Sequence, residues 1–182
     1  RSVNTDSHAL SQLNLNSVRK IQIGETLTKG HGTGGVVALG EQAAKADAER
    51  IKNTMLGADM IFITAGMGGG TGTGAAPVVA KIAKELGILT IGVVTKPFTW
   101  EGRKRQNQAN SGLDRLKEYV DAVIVIPNDK LLQVVGREVS LQDSFSIVDE
   151  VLLRGVQGIS DIITVPGIIN VDFAHVKSVM HD

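Results

Sequence analysis

The run Gly68-Gly69-Gly70-Thr71-Gly72-Thr73-Gly74 carries the densest chemical signal in the chain. Without Cβ atoms, glycines let backbone N–H groups close on an anion, and the two threonines add hydroxyls. The run follows Met60-Ile61-Phe62-Ile63-Thr64 and precedes Pro77-Val78-Val79-Ala80-Lys81-Ile82-Ala83, so it reads as a strand, a glycine turn and a helix start. A new helix offers unpaired N–H groups and the positive end of its dipole, and a phosphate is the expected ligand. A flexible loop would have the same composition; the flanks carry the reading. A second segment, Gly30-His31-Gly32-Thr33-Gly34-Gly35, also precedes a helical pattern. It reads either as a second set of backbone donors or as an interhelical turn.

The elements that must hold these residues follow from periodicity. Three apolar runs rich in Ile and Val, Met60 to Thr64, Ile88 to Val94 and Ala122 to Ile126, alternate with longer stretches of helical period. Ala44, Ala48, Ile51 and Met55 recur at helical spacing, as do Val78, Val79, Ile82, Ala83 and Leu86. The alternation predicts an α/β fold in three layers around a mostly parallel sheet, a Rossmann-like arrangement. Ligands of such sheets bind beyond the carboxyl ends of the strands. The polar segments after the strands (the glycine run, Thr95 to Arg105, and Pro127-Asn128-Asp129) are expected to converge there. The longest helical pattern, Leu141 to Thr164, spaces Phe145, Val148, Leu152, Val156, Ile159 and Ile163 three or four apart and is closed by Pro166-Gly167.

Composition excludes several classes. With 182 residues and 42% hydrophobic content, the chain can bury one good core. Nineteen basic residues balance nineteen acidic ones, and only Arg103-Lys104-Arg105 cluster, so no nucleic-acid footprint stands out. The chain has no cysteine, which removes disulfides, thiolate metal sites and cysteine nucleophiles. No apolar run reaches the roughly 20 residues of a membrane-spanning helix. The P-loop pattern Gly-x-x-x-x-Gly-Lys-Ser/Thr is absent, so a different phosphate cradle is required. A dinucleotide oxidoreductase fits poorly, because the glycine run is denser than Gly-x-Gly-x-x-Gly.

Gly68 to Ala76 resembles the tubulin/FtsZ signature. Val94-Thr95-Lys96-Pro97-Phe98-Thr99-Trp100-Glu101-Gly102-Arg103-Lys104-Arg105, Ile126-Pro127-Asn128-Asp129-Lys130-Leu131-Leu132 and Asn170-Val171-Asp172-Phe173-Ala174 look like its bacterial and plastid branch. Gly32-Thr33-Gly34-Gly35 with Gly40-Glu41-Gln42-Ala43-Ala44 further resembles cyanobacterial and plastid members. The resemblance covers essentially the whole chain and implies a GTPase domain ending in a long central helix.

Carried over residue by residue, it implies that Gly70, Thr71 and Gly72 hold the phosphates of GTP or GDP, with Thr33 and Gly34 beside them. Asn4 and Asp6 match the loop near the γ-phosphate and its Mg²⁺; Glu101 and Arg105 match ribose and phosphate contacts. Asn128 and Asp149 match the guanine-reading positions, since a carboxylate can pair with two guanine N–H donors and an amide can read the other edge. Phe145 matches the ring packed against the base and equally suits a core position of the long helix. No protein metal cluster is implied.

Asp172 matches a catalytic position. From Asp149 to Pro166 is 17 residues, and helical rise places Asp172 roughly 25 Å from its own guanine site. A catalytic Asp172 must therefore serve the nucleotide of a neighbour stacked head to tail, which repeats into a filament with hydrolysis coupled to assembly. It also suits a helix N-cap before Phe173-Ala174-His175-Val176, and both readings are compatible.

His175 stands where the family pattern has its second acidic residue, and imidazole lacks a carboxylate's fixed charge. Assembly with slowed hydrolysis is expected. Val36 and Val37 replace the usual Asn-Pro. The resemblance divides the chain into a nucleotide-binding domain over 1–140, a core helix over 141–166 and a catalytic loop with the start of a linker over 167–182. It places a first strand with another glycine loop before Arg1, and a second domain with an adaptor-binding tail after Asp182.

The leading expectation is a self-assembling GTPase of cell or plastid division, in the cytoplasm at the division site or in the plastid stroma, without direct membrane insertion. The alternative is a nucleotide-binding structural or regulatory copolymer with little turnover.

Overall fold

The computed structural model describes residues 1–13, 18–135 and 140–164; Asp172, His175 and the Pro166-Gly167 helix stop lie outside the described residues. Fold elements run in the order β1 (Ser2–Asn4), α1 (Ser7–Gln12), β2 (Lys20–Gln22), α2 (Glu25–Thr28), α3 (Val37–Ala46), α4 (Ala48–Met55), β3 (Met60–Gly66), α5 (Thr71–Glu85), β4 (Leu89–Lys96), α6 (Arg103–Lys117), β5 (Ala122–Pro127), α7 (Asn128–Val135) and α8 (Leu141–Thr164). A short 3₁₀ turn, Thr99–Glu101, joins β4 to α6. The three apolar runs are strands within a residue or two of their expected bounds, and the longest helical pattern is α8.

Among the described residues every pairing between strands is parallel. β3, β4 and β5 form one sheet in which Gly66 stands beside Thr95, and Thr95 beside Ile126, so all three strands end at the same edge. β4 lies in the middle and is buried along its length except at Lys96, as expected for a strand covered on both faces. Period-2 alternation sorts its side chains. On one face Val94 joins Ala76, Ala80, Ala109, Leu113 and Leu116 from α5 and α6. On the other, Val93 meets α8, where a Cβ on Gly155 would sit 3.5 Å from Val93 Cγ1. Helices on both faces of a parallel sheet make the expected three layers.

α5 is the keystone. Its Ala75, Ile82 and Ala83 belong to a second core with Ile21, Ile23, Ala43, Ala44, Ile51 and Met55, so one helix closes two clusters. A Cβ on Gly74 would overlap the Val37 carbonyl oxygen, and one on Gly112 would overlap Thr73 Cγ2. These two glycines let α3 and α6 press directly on α5.

Three features differ from the sequence expectation. Among the described residues the parallel strands form two sheets, because β1 and β2 pair there only with each other. Between them lies a cleft of ≈ 510 Å³ lined by Val3 and Asn4 on the β1 side and by Ile61, Ile63 and Ala65 on β3. Ala44, Ala48, Ile51 and Met55 do not share one helix. The chain breaks at Asp47 (φ −104°, ψ 20°), whose carboxylate accepts the Gly24 N–H at 2.7 Å. Finally, α5 begins at Thr71 rather than near Pro77, so half of the glycine run is helix. Pro77 forfeits only the bond to the Thr73 carbonyl, and the helix runs through it.

Candidate functional site

The end of β3 and the start of α5 build the centre of the site. Gly68 turns the chain at φ +104° and donates its N–H to Thr73 Oγ1 at 2.8 Å, which folds the glycine run back over the first helical turn. A Cβ on Gly72 would lie 2.7 Å from the Gly66 carbonyl oxygen, and one on Gly70 would overlap Thr33 Oγ1. Two segments distant in sequence are thereby brought into contact at glycine. The N–H groups of Thr71, Gly72 and Thr73 find no acceptor among the described residues, as the first turn of a helix dictates. Together with the dipole end they make an anion-attracting pocket floor.

The segment Gly30 to Gly35 joins this floor. It is an interhelical turn between α2 and α3, and it also neighbours the glycine run. Thr33 is buried with its Oγ1 3.5 Å from Thr71 Oγ1, while Gly34 is exposed at the rim with open space around it. β1 delivers the third wall. Asn4 lines the cleft beside Thr71 and Gly72, and its Oδ1 accepts the Asp6 N–H at 3.2 Å. Asp6 caps α1 by accepting the Ala9 N–H on Oδ1 at 3.0 Å, which leaves Oδ2 facing Gly32. Sequence reasoning passed over Thr5, which is fully buried between them with its Oγ1 2.7 Å from Thr71 Oγ1. No local pattern marks it; only the fold makes the contact.

A second half of the site lies along the ends of β4 and β5. Glu101 is largely buried: Oε1 accepts the Phe98 N–H at 2.9 Å and Oε2 holds Arg105 Nη1 at 2.6 Å. The pair thus organises its own turn, leaving the Arg105 side chain half exposed. Asp129, another residue not singled out by sequence, ties the two loops together by accepting the Thr99 N–H at 2.9 Å and the Thr99 hydroxyl.

Asn128 is 4% exposed, and its Oδ1 has no hydrogen-bond partner among the described residues. A buried amide oxygen without a donor is costly, by about 1–3 kcal/mol, and asks for a ligand N–H. In-register pairing puts Asn128 about 10 Å, or two strand spacings, from the glycine run.

Phe145 is not a core residue. It is 42% exposed and meets Phe98 and Trp100 edge to face at centroid distances of 5.6 and 6.0 Å, while Phe98 and Trp100 stack at 5.1 Å. Asp149, one helical turn further along α8, is exposed and has no ion pair among the described residues. Among those residues no group of three or more His, Asp or Glu side chains is placed to hold a metal ion.

The family model for the Tubulin/FtsZ family, GTPase domain, matches residues 2–136. The chain is 50% identical to the FtsZ of M. jannaschii, solved as an empty dimer, with a TM-score of 0.91 over 98% of this chain and 51% of that one. CetZ2 from Haloferax volcanii, solved as a GTPγS-bound protofilament, is 27% identical, with a TM-score of 0.79 over 91% of this chain and 50% of its own. CetZ1 from the same organism, a GDP-bound monomer, is 26% identical at the same TM-score. The chain thus spans about half the length of the solved proteins it matches. Half-identity over almost its entire length, and a family model covering most of it, show that the chain belongs to the Tubulin/FtsZ family and contains that family's GTPase domain.

Proposed function

We propose that this chain is the nucleotide-binding part of a filament-forming GTPase, binding GTP or GDP across the strand ends with the phosphates on α5 and the base beside Asn128. The observation that carries the reading is the Asn128 oxygen, unpartnered among the described residues, on the edge that also holds the N–H groups of Thr71 to Thr73, which find no acceptor among them. One pocket end demands a hydrogen-bond donor and the other an anion, which is the polarity of a guanine nucleotide. Asp149 and Phe145 on α8 would add a carboxylate and a π surface for the base, and Arg105 a cation for ribose or phosphate.

Asp6 fits a nucleotide-borne Mg²⁺. This ion takes one or two carboxylates together with phosphate oxygens and needs no protein cage, and Asp6 Oδ2 has no hydrogen-bond partner among the described residues at the cradle rim. When bound, Mg²⁺ supplies charge neutralisation to the phosphates. The chain's own residues position the phosphates through backbone donors and the hydroxyls of Thr71 and Thr33.

Asp172 and His175 are proposed to complete the nucleotide site of the next subunit in a head-to-tail filament, so that turnover follows assembly. The FtsZ dimer and the CetZ2 protofilament support self-association as the partner chemistry. A role at the division site, in the cytoplasm or a plastid stroma and with adaptors bound through a C-terminal tail, is the cellular setting of this reading.

GTP hydrolysis by the full-length protein, measured against protein concentration, tests it. Specific activity that rises above a critical concentration supports catalysis between subunits. Filaments that keep GTP and release almost no phosphate support the copolymer reading, for which His175 is the specific observation. Equal competition by ATP and GTP for binding would sink both.

A further inference from the structure

Thr5 directly follows β1 and has no exposed surface, yet among the described residues its hydroxyl makes no hydrogen bond to the backbone. Its one hydrogen-bond partner among the described residues is Thr71 Oγ1 at 2.7 Å. The position is held from behind: Thr28 Oγ1 donates to the Thr5 carbonyl at 3.1 Å, and Asp6, the next residue, bridges to His31 in the second glycine segment. Thr71 is the first residue of α5, and its hydroxyl also lies 3.5 Å from that of Thr33.

A hydroxyl has one proton to give and two lone pairs to receive. If Thr71 spends its proton on Thr5, it has none for an anion at the helix start. Thr5 has no other hydrogen-bond partner among the described residues, so with an anion present the order of protons follows: Thr5 to Thr71, and Thr71 to the anion. A buried hydroxyl chain of this kind also polarises its last donor.

We propose that Thr5 is a positioning residue of the phosphate cradle, donating its proton to Thr71 Oγ1 and holding Thr71 in the rotamer that gives its own proton to a phosphate oxygen. This rests on the reading of the α5 N-terminus as the phosphate site. Thr5 itself touches no ligand, and its effect passes through Thr71 alone.

A double-mutant cycle on GDP affinity in the full-length protein tests it, with each variant's thermal melt recorded beside its Kd. Thr5→Val keeps the shape and removes the hydroxyl, and is expected to weaken GDP binding about fivefold, the worth of one neutral hydrogen bond. Thr5→Ser is expected to restore affinity to within about twofold of the parent, since it keeps the donor. In a Thr71→Val background, Thr5→Val is expected to have no further effect on Kd.

The proposal is overturned if Thr71→Val weakens binding while Thr5→Val does not. It is equally overturned if Thr5→Val weakens binding by the same factor with and without the Thr71 hydroxyl, because Thr5 would then act as packing. A Thr71→Val variant that binds GDP like the parent would instead remove the phosphate-site reading itself. Should Thr5→Val lose its cooperative melt, Thr5→Ala against Thr5→Ser reads the same comparison.

Discussion

Gly40 on α3 sits directly against the carbonyl oxygen of Gly70, with so little room that a methyl group on Gly40 would collide with it. Backbone meets backbone at the point where the glycine run turns into α5. Replacing Gly40 by Ala is therefore expected to destabilise the protein by about 2 kcal/mol, in the range of overpacked cores. It should also shift the free N–H groups of Thr71 and Gly72. A thermal melt and a GDP titration check both; an alanine variant as stable as the parent would show that α3 can slide away.

Glu41, one residue on, accepts Lys45 Nζ at 2.6 Å and Arg115 Nη1 at 2.7 Å, fastening α3 to α6 across α5. The hydrogen bonds from Lys45 and Arg115 hold its carboxyl below the ordinary value of 4.5. A carboxyl with a lowered folded-state pKa contributes stability above its unfolded value and loses it as pH falls through the folded one. Because all three side chains are partly exposed, the contribution is about 0.5–1 kcal/mol. Glu41→Gln should be less stable than the parent by that amount at pH 7, with the gap closing below pH 4.5 in denaturant titrations.

The lone Asn128 oxygen makes an unusual prediction for a buried residue. Since Oδ1 has no partner among the described residues, Asn128→Ala is expected to cost little stability in the nucleotide-free protein while weakening guanine nucleotide binding about tenfold, the worth of a base-edge hydrogen bond in a dry site. Inosine nucleotides, which keep the ring N–H, and ATP form the comparison series. A variant that melts far below the parent would mean that Asn128 is structural.

Asp129 holds Thr99 by two hydrogen bonds, and Thr99 precedes Trp100, the chain's single tryptophan. Asp129→Ala is expected to free the 3₁₀ turn and disturb the Phe98, Trp100 and Phe145 cluster. The checks are a red-shifted Trp100 emission and a nucleotide-induced emission change smaller than in the parent. Unchanged emission would show that aromatic packing alone, worth about 0.5–1.5 kcal/mol per pair, keeps the turn.

His175→Asp restores a fixed negative charge beside Asp172 in sequence. It is expected to raise steady-state GTP turnover per subunit in filaments and leave GDP affinity unchanged, because the proposed role is on the neighbour's nucleotide. A variant no faster than the parent removes the idea that His175 slows hydrolysis.

Local pattern determined much of this protein. The continuous apolar runs rich in Ile and Val named β3, β4 and β5, the three-to-four spacing from Phe145 to Ile163 located α8, and the alternation of strand and helix required parallel strands ending on one edge. Those features depend on neighbours a few residues apart, so the sequence displays them directly. What the tertiary structure decided depends on residues far apart in the chain. The Thr5–Thr71 hydroxyl bond spans 66 positions. The break between α3 and α4 follows from the Gly24 N–H that captures Asp47, and it cuts across an uninterrupted helical pattern. β1 and β2 are three residues each and carry too little periodicity to announce themselves. α5 begins before Pro77 because Thr33, Gly40 and Val37 pack against glycines that a local reading takes for a loop. Helix propensity disfavours glycine by about 1 kcal/mol per residue, and close packing by distant backbone outweighs it here.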